Sequence, residues 1–142
     1  MFTQSQTFLN DQFRLLAQGQ IETVAHRFAP TAVVAYADSQ VILRGVNQTT
    51  DYLRKHLAFC NSVGIISMSP KVLSVNVHRG IRFKAVVETT CALADTRQTY
   101  VALAEYGFLK IGGGGLRIEM VQCAKPSLEA MATEIRHLKI SA

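Results

Sequence analysis

The sequence lacks the features by which membrane proteins and exported proteins are usually recognised. No apolar run is long enough to span a bilayer, and the N-terminus does not place a basic segment before an apolar one, as a secretory signal would. We therefore expect neither a membrane protein nor an exported one, and the sequence predicts a cytoplasmic location.

Cysteine is scarce, and metal-binding patterns are missing. The three cysteines are Cys60, Cys91 and Cys123. An odd number in a chain without an export signal fits reduced thiols in a core better than disulfides. Neither these cysteines nor the four histidines have the spacing of metal ligands. We therefore expect no metal site, and no motif implies a cofactor.

Basic residues are in excess but are not clustered. The formal net charge is +5, and Arg54-Lys55 is the only adjacent pair of Lys or Arg residues. Nucleic-acid binding is better supported by a basic stripe interleaved with aromatic residues, and the sequence has none. It predicts a solvated basic surface and no nucleic-acid partner.

Apolar residues are abundant, at 49% of 142 positions. That is enough for one domain, residues 1–142, to bury a core without disulfides or metal. Three apolar stretches, 81–94, 100–111 and 116–123, predict an antiparallel meander joined by a turn at 95–98 and a glycine run at 112–115. Alternation in the first stretch assigns one face to Ile81, Phe83, Ala85, Val87, Thr89, Cys91 and Leu93.

The rest of the chain predicts helices that pack on this sheet. Periodicity and turn residues indicate helices at 5–17, 20–28 and 47–59, a hairpin at 31–43, a strand at 71–78 and a last helix at 126–138. Pro30 is expected to stop the second helix, Asn47 to cap the third and Pro126 to begin the last. This order predicts an α+β fold with helices on one face of a strongly bent sheet.

Three segments carry a family resemblance. Residues 18–33 (QGQIETVAHRFAPTAV), then Leu43-Arg44-Gly45 with the following helix, and Gly114-Gly115-Leu116 resemble landmarks of the nuclear transport factor 2-like superfamily. The resemblance implies a cone-shaped, mostly antiparallel sheet, N-terminal helices closing a pocket, and a C-terminal helix. The superfamily includes ketosteroid isomerases, SnoaL-type polyketide cyclases, epoxide hydrolases and dehydratases, together with noncatalytic binding and association domains.

The resemblance also assigns candidate catalytic positions. The catalytic Asp of the isomerases falls on Tyr36, their tyrosine donor falls near Gln12, and their protonated Asp falls on Tyr106. Tyr106 can donate a hydrogen bond, but a phenol with a pKa near ~10 is a poor base at neutral pH. A base one position out of register, such as Asp38, would restore the chemistry.

Glu119 is a further candidate base on which two signals disagree. The resemblance turns Arg117, Glu119, Val121 and Cys123 inward, whereas hydrophobic periodicity favours Leu116, Ile118 and Met120 as the buried set. An inward Glu119 would have its pKa raised by desolvation and would suit acid or base work. An outward Glu119 would pair with a neighbouring Lys or Arg. Both readings stay open.

The remaining candidates are assigned to the walls and mouth of the expected pocket. His56 is read either as a proton-transfer group at the mouth or, preferably, as a half-exposed helix residue. Cys91 is expected to point inward as an inert thiol. Leu93, Val121 and Phe108 would form an apolar wall. For the aromatic residues Tyr100, Tyr106 and Phe108, ordinary core packing is a slightly better interpretation than a pocket wall.

Two functions follow from this sequence. One is a cone-fold protein that binds an apolar small molecule, extending to an acid/base enzyme of isomerase, cyclase or hydrolase type. The other is a noncatalytic dimeric binding or association module. A second apolar sheet face predicts a homodimer through the outer face, formed by Val101, Leu103, Leu109, Leu116, Ile118 and Met120.

Overall fold

The computed structural model describes residues 1–94, 96 and 98–141, which form four α-helices and six β-strands. In chain order they are α1 (Phe2–Ala17), α2 (Ile21–Ala25), β1 (Phe28–Ala35), β2 (Gln40–Arg44), α3 (Gly45–Val63), β3 (Ile65–Arg79), β4 (Arg82–Leu93), β5 (Thr99–Ile111), β6 (Gly115–Cys123) and α4 (Leu128–Ser141). The predicted α+β class is confirmed. Two residues of the predicted turn at 95–98, Asp95 and Arg97, lie outside the described residues.

All six strands belong to one sheet, in the order β2-β1-β6-β5-β4-β3. The predicted meander of β4, β5 and β6 is confirmed as three antiparallel neighbours. Parallel pairing joins β1 to β6, where Phe28 lies opposite Ile118 and Val34 opposite Val121. The sheet is therefore mostly antiparallel, as the resemblance implied.

Irregular pairing at Glu119 decides which side of β6 faces the interior. Phe108 pairs with Ile118 while the preceding Gly107 pairs with Met120, so Glu119 is an extra residue in β6. Such a bulge bends a strand and shifts its side-chain alternation by one position. Leu116 and Ile118 are buried before the bulge, at 3% and 1% exposure, whereas Val121 and Cys123 face the interior after it.

The bulge reconciles the two conflicting predictions for β6. Periodicity was right up to Ile118, and the resemblance was right from Val121 onward. Placing Leu116 and Ile118 on the outer sheet face was wrong, because both belong to the hydrophobic core.

Aromatic rings fill the core between α1 and the sheet. The Phe8 ring of α1 meets Phe108 of β5 edge to face at 5.5 Å, and Phe83 of β4 stacks on Phe108 at 5.2 Å. Each such pair contributes about 0.5–1.5 kcal/mol beyond the burial of its area. A second cluster joins α4 to the other end of the sheet, where Ile135 packs with Cys91 and Tyr100.

Several predicted helix ends were wrong because other groups satisfy the terminal N–H donors. The α3 helix begins at Gly45 rather than after Asn47, and the Gln48 side chain accepts a hydrogen bond from the Arg44 N–H at 2.8 Å. In α4, Ser127 precedes the first helical residue and accepts from the Ala130 N–H at 3.0 Å. Pro126 therefore lies outside α4.

Pro30 does not end a helix. The α2 helix stops at Ala25, and Pro30 lies within β1 in the interval where the pairing with β6 is irregular. Proline has no N–H to give to a ladder and is tolerated at such an irregularity. Elsewhere, no helix in the described ranges is long and apolar enough to cross a membrane.

Candidate functional site

A cavity of about 160 Å³ lies between the inner face of the sheet and the helices α1, α3 and α4. Most of its lining is apolar. The lining residues include Phe13, Leu16, Val34, Leu53, Phe59, Met68, Ala102, Ala104, Ile118, Val121, Leu128, Met131 and Ile135. A small set of polar side chains from α1, α3, β4, β5 and the ends of β1 and β6 interrupts this surface.

Two tyrosines form the central polar contact of the cavity. Tyr36 follows the last residue of β1 and is fixed by its N–H, which donates to the Ser39 carbonyl at 2.7 Å. Its hydroxyl lies 3.0 Å from the Tyr52 hydroxyl of α3. Burial raises the pKa of both phenols above the ordinary value. Both are therefore neutral at pH 7, and only one of the two hydroxyl protons is used within the pair.

Tyr106 and Cys123 complete the side of this polar end that the sheet provides. Tyr106 of β5 pairs with Val121 of β6, which places it on the inner face beside the end of β6. Burial raises the pKa of Tyr106, and the nearby Cys123 adds to that rise. Burial also raises the pKa of the Cys123 thiol to about 11. Cys123 is therefore protonated at neutral pH and is a poor nucleophile.

His56 lies one helical turn after Tyr52 on α3 and lines the same cavity. Its ring stacks against Tyr52 at 6.2 Å between centroids, with 25° between the planes. The Nδ1 atom is buried and has no hydrogen-bond partner among the described residues. Burial lowers the pKa of His56. The imidazole is thus neutral at pH 7 and can accept a proton.

Gln12 supplies a further acceptor from α1. The side chain is buried, at 3% exposure, and its Nε2 donates to the Val24 carbonyl at 3.4 Å. Its Oε1 has no partner within the part of the chain that the structure describes. Gln12 also lines the cavity, at the position near which the resemblance places the isomerase tyrosine.

No protein-family model matches the sequence, and no curated protein matches it. Several solved structures are similar to this chain. An NTF2-like protein with a cystatin-like fold from Novosphingobium aromaticivorans matches with a TM-score of 0.67 and 14% identity, over 94% of this chain and 86% of that one. The chain has the nuclear transport factor 2-like fold. The family resemblance of its sequence is thereby confirmed at the level of the fold.

Two further structures share this NTF2-like cone. A domain of unknown function with a cystatin-like fold from Nostoc punctiforme has a TM-score of 0.65 and 21% identity, over 91% of this chain and 80% of that one. Aln2 from a Streptomyces species has a TM-score of 0.62 and 14% identity, over 92% of this chain and 94% of that one. At these identities the likeness concerns the fold and not an activity.

The two candidate carboxylates lie away from the cavity of the NTF2-like cone. Glu119, at the bulge, accepts a hydrogen bond from Arg82 Nε at 3.0 Å on the outer side. Asp38 is exposed in the β1–β2 turn and accepts from the Ser39 hydroxyl at 3.3 Å. Among the described residues no Asp or Glu lines the cavity. The geometry therefore does not supply either residue as a base for a bound molecule.

The other sequence candidates divide between the cavity and the core. The cavity is lined by Tyr36, Tyr106, His56, Cys91 and Val121. In contrast, Phe108 and Leu93 are buried in the two core clusters and are not part of the lining. Sequence analysis missed Tyr52 as a site residue. Its position four residues before His56 on a predicted helix places both on one face and could have revealed it.

Cavity residues in the connection between β6 and α4 reach the surface. The exposed Ala124 and the partly buried Lys125 both line the cavity, so its rim lies between the end of β6 and α4. There Lys125 Nζ lies 3.0 Å from Glu134, which also accepts a hydrogen bond from the Tyr100 hydroxyl at 3.2 Å. These contacts hold α4 across the sheet. No group of three or more potential metal ligands occurs in the described residues.

Replacing His56 should change how stability depends on pH. Burial lowers the His56 pKa in the folded protein below its ordinary 6.5, so at mildly acidic pH the unfolded chain binds a proton that the folded chain does not. The free energy of unfolding of the wild type should therefore decrease as the pH is lowered from about 7.5 to about 5.5. His56→Gln should make that decrease smaller. Urea unfolding at both pH values measures it.

The matched control is His26→Gln, since His26 is exposed. We expect this variant to keep the wild-type pH dependence. Equal slopes for wild type and His56→Gln would contradict burial of a neutral His56.

Proposed function

We propose that the cavity binds a small, neutral, mostly apolar molecule that carries a carbonyl or hydroxyl oxygen. The observation that carries this proposal is the Tyr36–Tyr52 hydroxyl pair, 3.0 Å apart, in a lining that is otherwise mostly apolar. One proton of the pair is free to donate to a ligand oxygen. A few placed polar groups in an apolar cavity are what orient small ligands in proteins.

Cavity volume limits the size of the ligand. A cavity of about 150 Å³ lined by apolar side chains accommodates benzene. The present cavity, at about 160 Å³, therefore suits one six-membered ring and not the four fused rings of a steroid. Cyclic ketones and phenols fall within this range.

Charge also selects the ligand. Tyr36, Tyr52 and Tyr106 are neutral at pH 7, and Lys125 at the rim is paired with Glu134. A charged ligand would lose its hydration without gaining an opposite charge from the inner lining. A neutral ligand avoids that cost.

A second candidate function is acid/base catalysis on a bound ketone, favoured by the neutral His56 with its unpartnered Nδ1. In this scheme the imidazole removes a proton from the carbon beside the carbonyl, and a tyrosine donates to the oxygen as it becomes an enolate. Because no Asp or Glu is among the described lining residues, this scheme uses His56 as the base rather than Glu119 or Asp38.

Association through the outer sheet face is a third element of the proposal. Removing the buried Leu116 and Ile118 from the predicted face leaves Val101, Leu103, Leu109 and Met120, and Val86 of β4 lies on the same side. Val101 and Leu103 are 48% and 47% exposed. Such a patch on the face of an antiparallel sheet suits an isologous dimer contact, in which two copies present the same surface.

Ligand binding should discriminate between a ketone and a hydrocarbon of the same shape. We expect wild type to bind cyclohexanone, and Tyr36→Phe or Tyr52→Phe to weaken that binding by roughly three- to tenfold through loss of one hydrogen bond. Methylenecyclohexane, which lacks the oxygen, should bind wild type and both variants alike. Ligand-detected NMR measures all these affinities.

Ala104→Leu provides the control for location, because the larger side chain fills part of the cavity. It should remove binding of both compounds. Unchanged binding of cyclohexanone to Ala104→Leu would contradict the cavity as its site.

Catalysis should appear as exchange of the ketone's α-hydrogens for deuterium in D₂O. If His56 is the base, wild type should accelerate this exchange in cyclohexanone, and His56→Gln should lower the acceleration by about 10²–10⁴-fold. Because burial lowers the His56 pKa, the rate should decline only at a lower pH than it would for a histidine with the ordinary pKa of 6.5. Proton NMR follows the exchange.

His26→Gln should keep the full exchange rate. An exchange rate equal to that of buffer in wild type, together with measurable cyclohexanone binding, would leave the protein as a binder and exclude the enzyme.

Dimerisation should depend on the outer face. We expect the wild-type chain to have twice the monomer mass in sedimentation equilibrium, and Val101→Arg to shift it to monomer because two copies would bring like charges together. Ile81→Arg is the control, since Ile81 is 54% exposed but lies in the turn between β3 and β4. A monomeric wild type at high concentration would refute the dimer.

A further inference from the structure

A second cleft, separate from the cavity, lies between α1 and the start of β6. Its volume is about 410 Å³, and it shares no lining residue with the cavity. One wall is a stripe of α1 that includes Thr7, Phe8 and Asp11. The other wall is formed by the glycine hairpin, which is the turn between β5 and β6 that includes Gly114 and Gly115, and by Leu116 and Arg117 that follow it. Arg27, just before β1, completes the lining.

The parallel pairing of β1 with β6 brings two arginines together across 90 positions of sequence. Phe28 lies opposite Ile118, and the Ile118 N–H donates to the Arg27 carbonyl at 3.0 Å. Arg27, which immediately precedes β1, therefore lies beside Arg117 of β6. Within the described ranges neither guanidinium has an ion-pair partner. Two like charges are thus held beside one cleft without a direct counter-charge.

The Arg27 guanidinium is positioned by Phe8. Its Cζ lies 4.3 Å from the centroid of the Phe8 ring, and its Nη2 donates to the Phe8 carbonyl at 3.3 Å. The Nε atom is buried and has no partner in the described part of the chain. Stacking of this kind fixes the plane of the guanidinium before a ligand arrives. Most of its donors are left without a protein acceptor among those residues.

Other charged groups at the cleft reduce its positive potential without cancelling it. Asp11 lines the cleft but is paired with the exposed Arg14 at 3.4 Å. Burial lowers the pKa of Arg27, Asp11 acts in the opposite direction, and Arg117 and Arg14 lower it further. The Gln4 amide donates to the Gly114 carbonyl at 2.6 Å and so ties the hairpin to α1.

We infer that this cleft binds the phosphate group of a small phosphorylated molecule, with Arg27 and Arg117 as its two cationic ligands. Guanidinium groups match phosphate oxygens in bidentate geometry. A phosphate dianion has enough oxygens for both arginines, whereas a single carboxylate is satisfied by one of them. The site is independent of the apolar cavity and of the function proposed for it.

Titration of amide NMR spectra with inorganic phosphate and with glycerol phosphate at low ionic strength tests the site. We expect saturable shifts of the Gly115 and Thr7 amides, which line the cleft. Arg117→Gln and Arg27→Gln should each weaken binding by about tenfold or more, since each removes charge-assisted hydrogen bonds. Arg27→Lys, which keeps the charge but loses the planar fork, should also weaken it.

Arg54→Gln is the matched control, because Arg54 is exposed on α3 and its loss changes the net charge by the same amount. It should alter the affinity by no more than about twofold. If Arg27→Gln fails to fold, the comparison of Arg117→Gln with Arg54→Gln decides.

Three results would overturn the inference. They are an absence of saturable phosphate binding by wild type, equal weakening by Arg54→Gln and Arg117→Gln, and binding of acetate as tight as that of phosphate.

Discussion

The extra residue in β6 determines which side chains this cone presents to its interior. A regular strand would bury either Leu116 and Ile118 or Val121 and Cys123, because neighbouring residues alternate between faces. The bulge at Glu119 lets one strand do both. Ile118 can then meet Phe108 in the aromatic core, while Val121 lies beside Tyr106 at the cavity. The same bulge leaves Glu119 on the outer side with Arg82.

Burial in this interior moves titratable groups toward their neutral forms. It raises the pKa of Tyr36, Tyr52 and Tyr106, raises that of Cys123 to about 11, and lowers that of His56. All of these shifts have the same largest cause, since desolvation disfavours whichever form is charged. A cavity of this kind offers hydrogen bonds without charge. Such an environment suits the neutral ligand proposed above, and the neutral His56 suits the proposed role of proton acceptor.

The fold could be predicted from the sequence more fully than the site. The alternation predicted for Ile81 to Leu93 gave the correct inward face of β4 from Phe83 onward, because that strand pairs regularly with β5. It was wrong for Ile81, which lies in the turn before β4 and is 54% exposed. In β6 no periodicity rule could locate the bulge, because its position is set by pairing with β5 and β1. The helix ends were missed at Asn47 and Pro126 because Gln48 and Ser127 satisfy the terminal donors instead. Several neighbouring polar residues could cap each helix, and a sequence pattern does not tell which of them does.

Site residues were predicted where one strand or helix face determined them. Tyr106, Cys91 and His56 reach the cavity because their elements are regular around them. The Tyr36–Tyr52 contact joins the end of a strand to the middle of a helix 16 residues later, so no local pattern contains it. Arg27 and Arg117 are a more extreme case. Their proximity follows from the one parallel pairing in the described sheet, which sequence analysis did not predict.

The interior of this protein contains a closely packed aromatic region and a separate cavity. Phe8, Phe83 and Phe108 occupy the region between α1 and the sheet, and their contacts leave no room there for a ligand. Tyr100 and Tyr106 line open volume instead of closing it. The Tyr36 and Tyr52 hydroxyls satisfy each other, but His56 Nδ1 has no partner among the described residues, and a buried polar atom left unsatisfied costs about 1–3 kcal/mol. The retained space supports the proposal of a bound molecule, and the lack of a carboxylate in the described lining disfavours a cationic one, because a buried cation would find no counter-charge there.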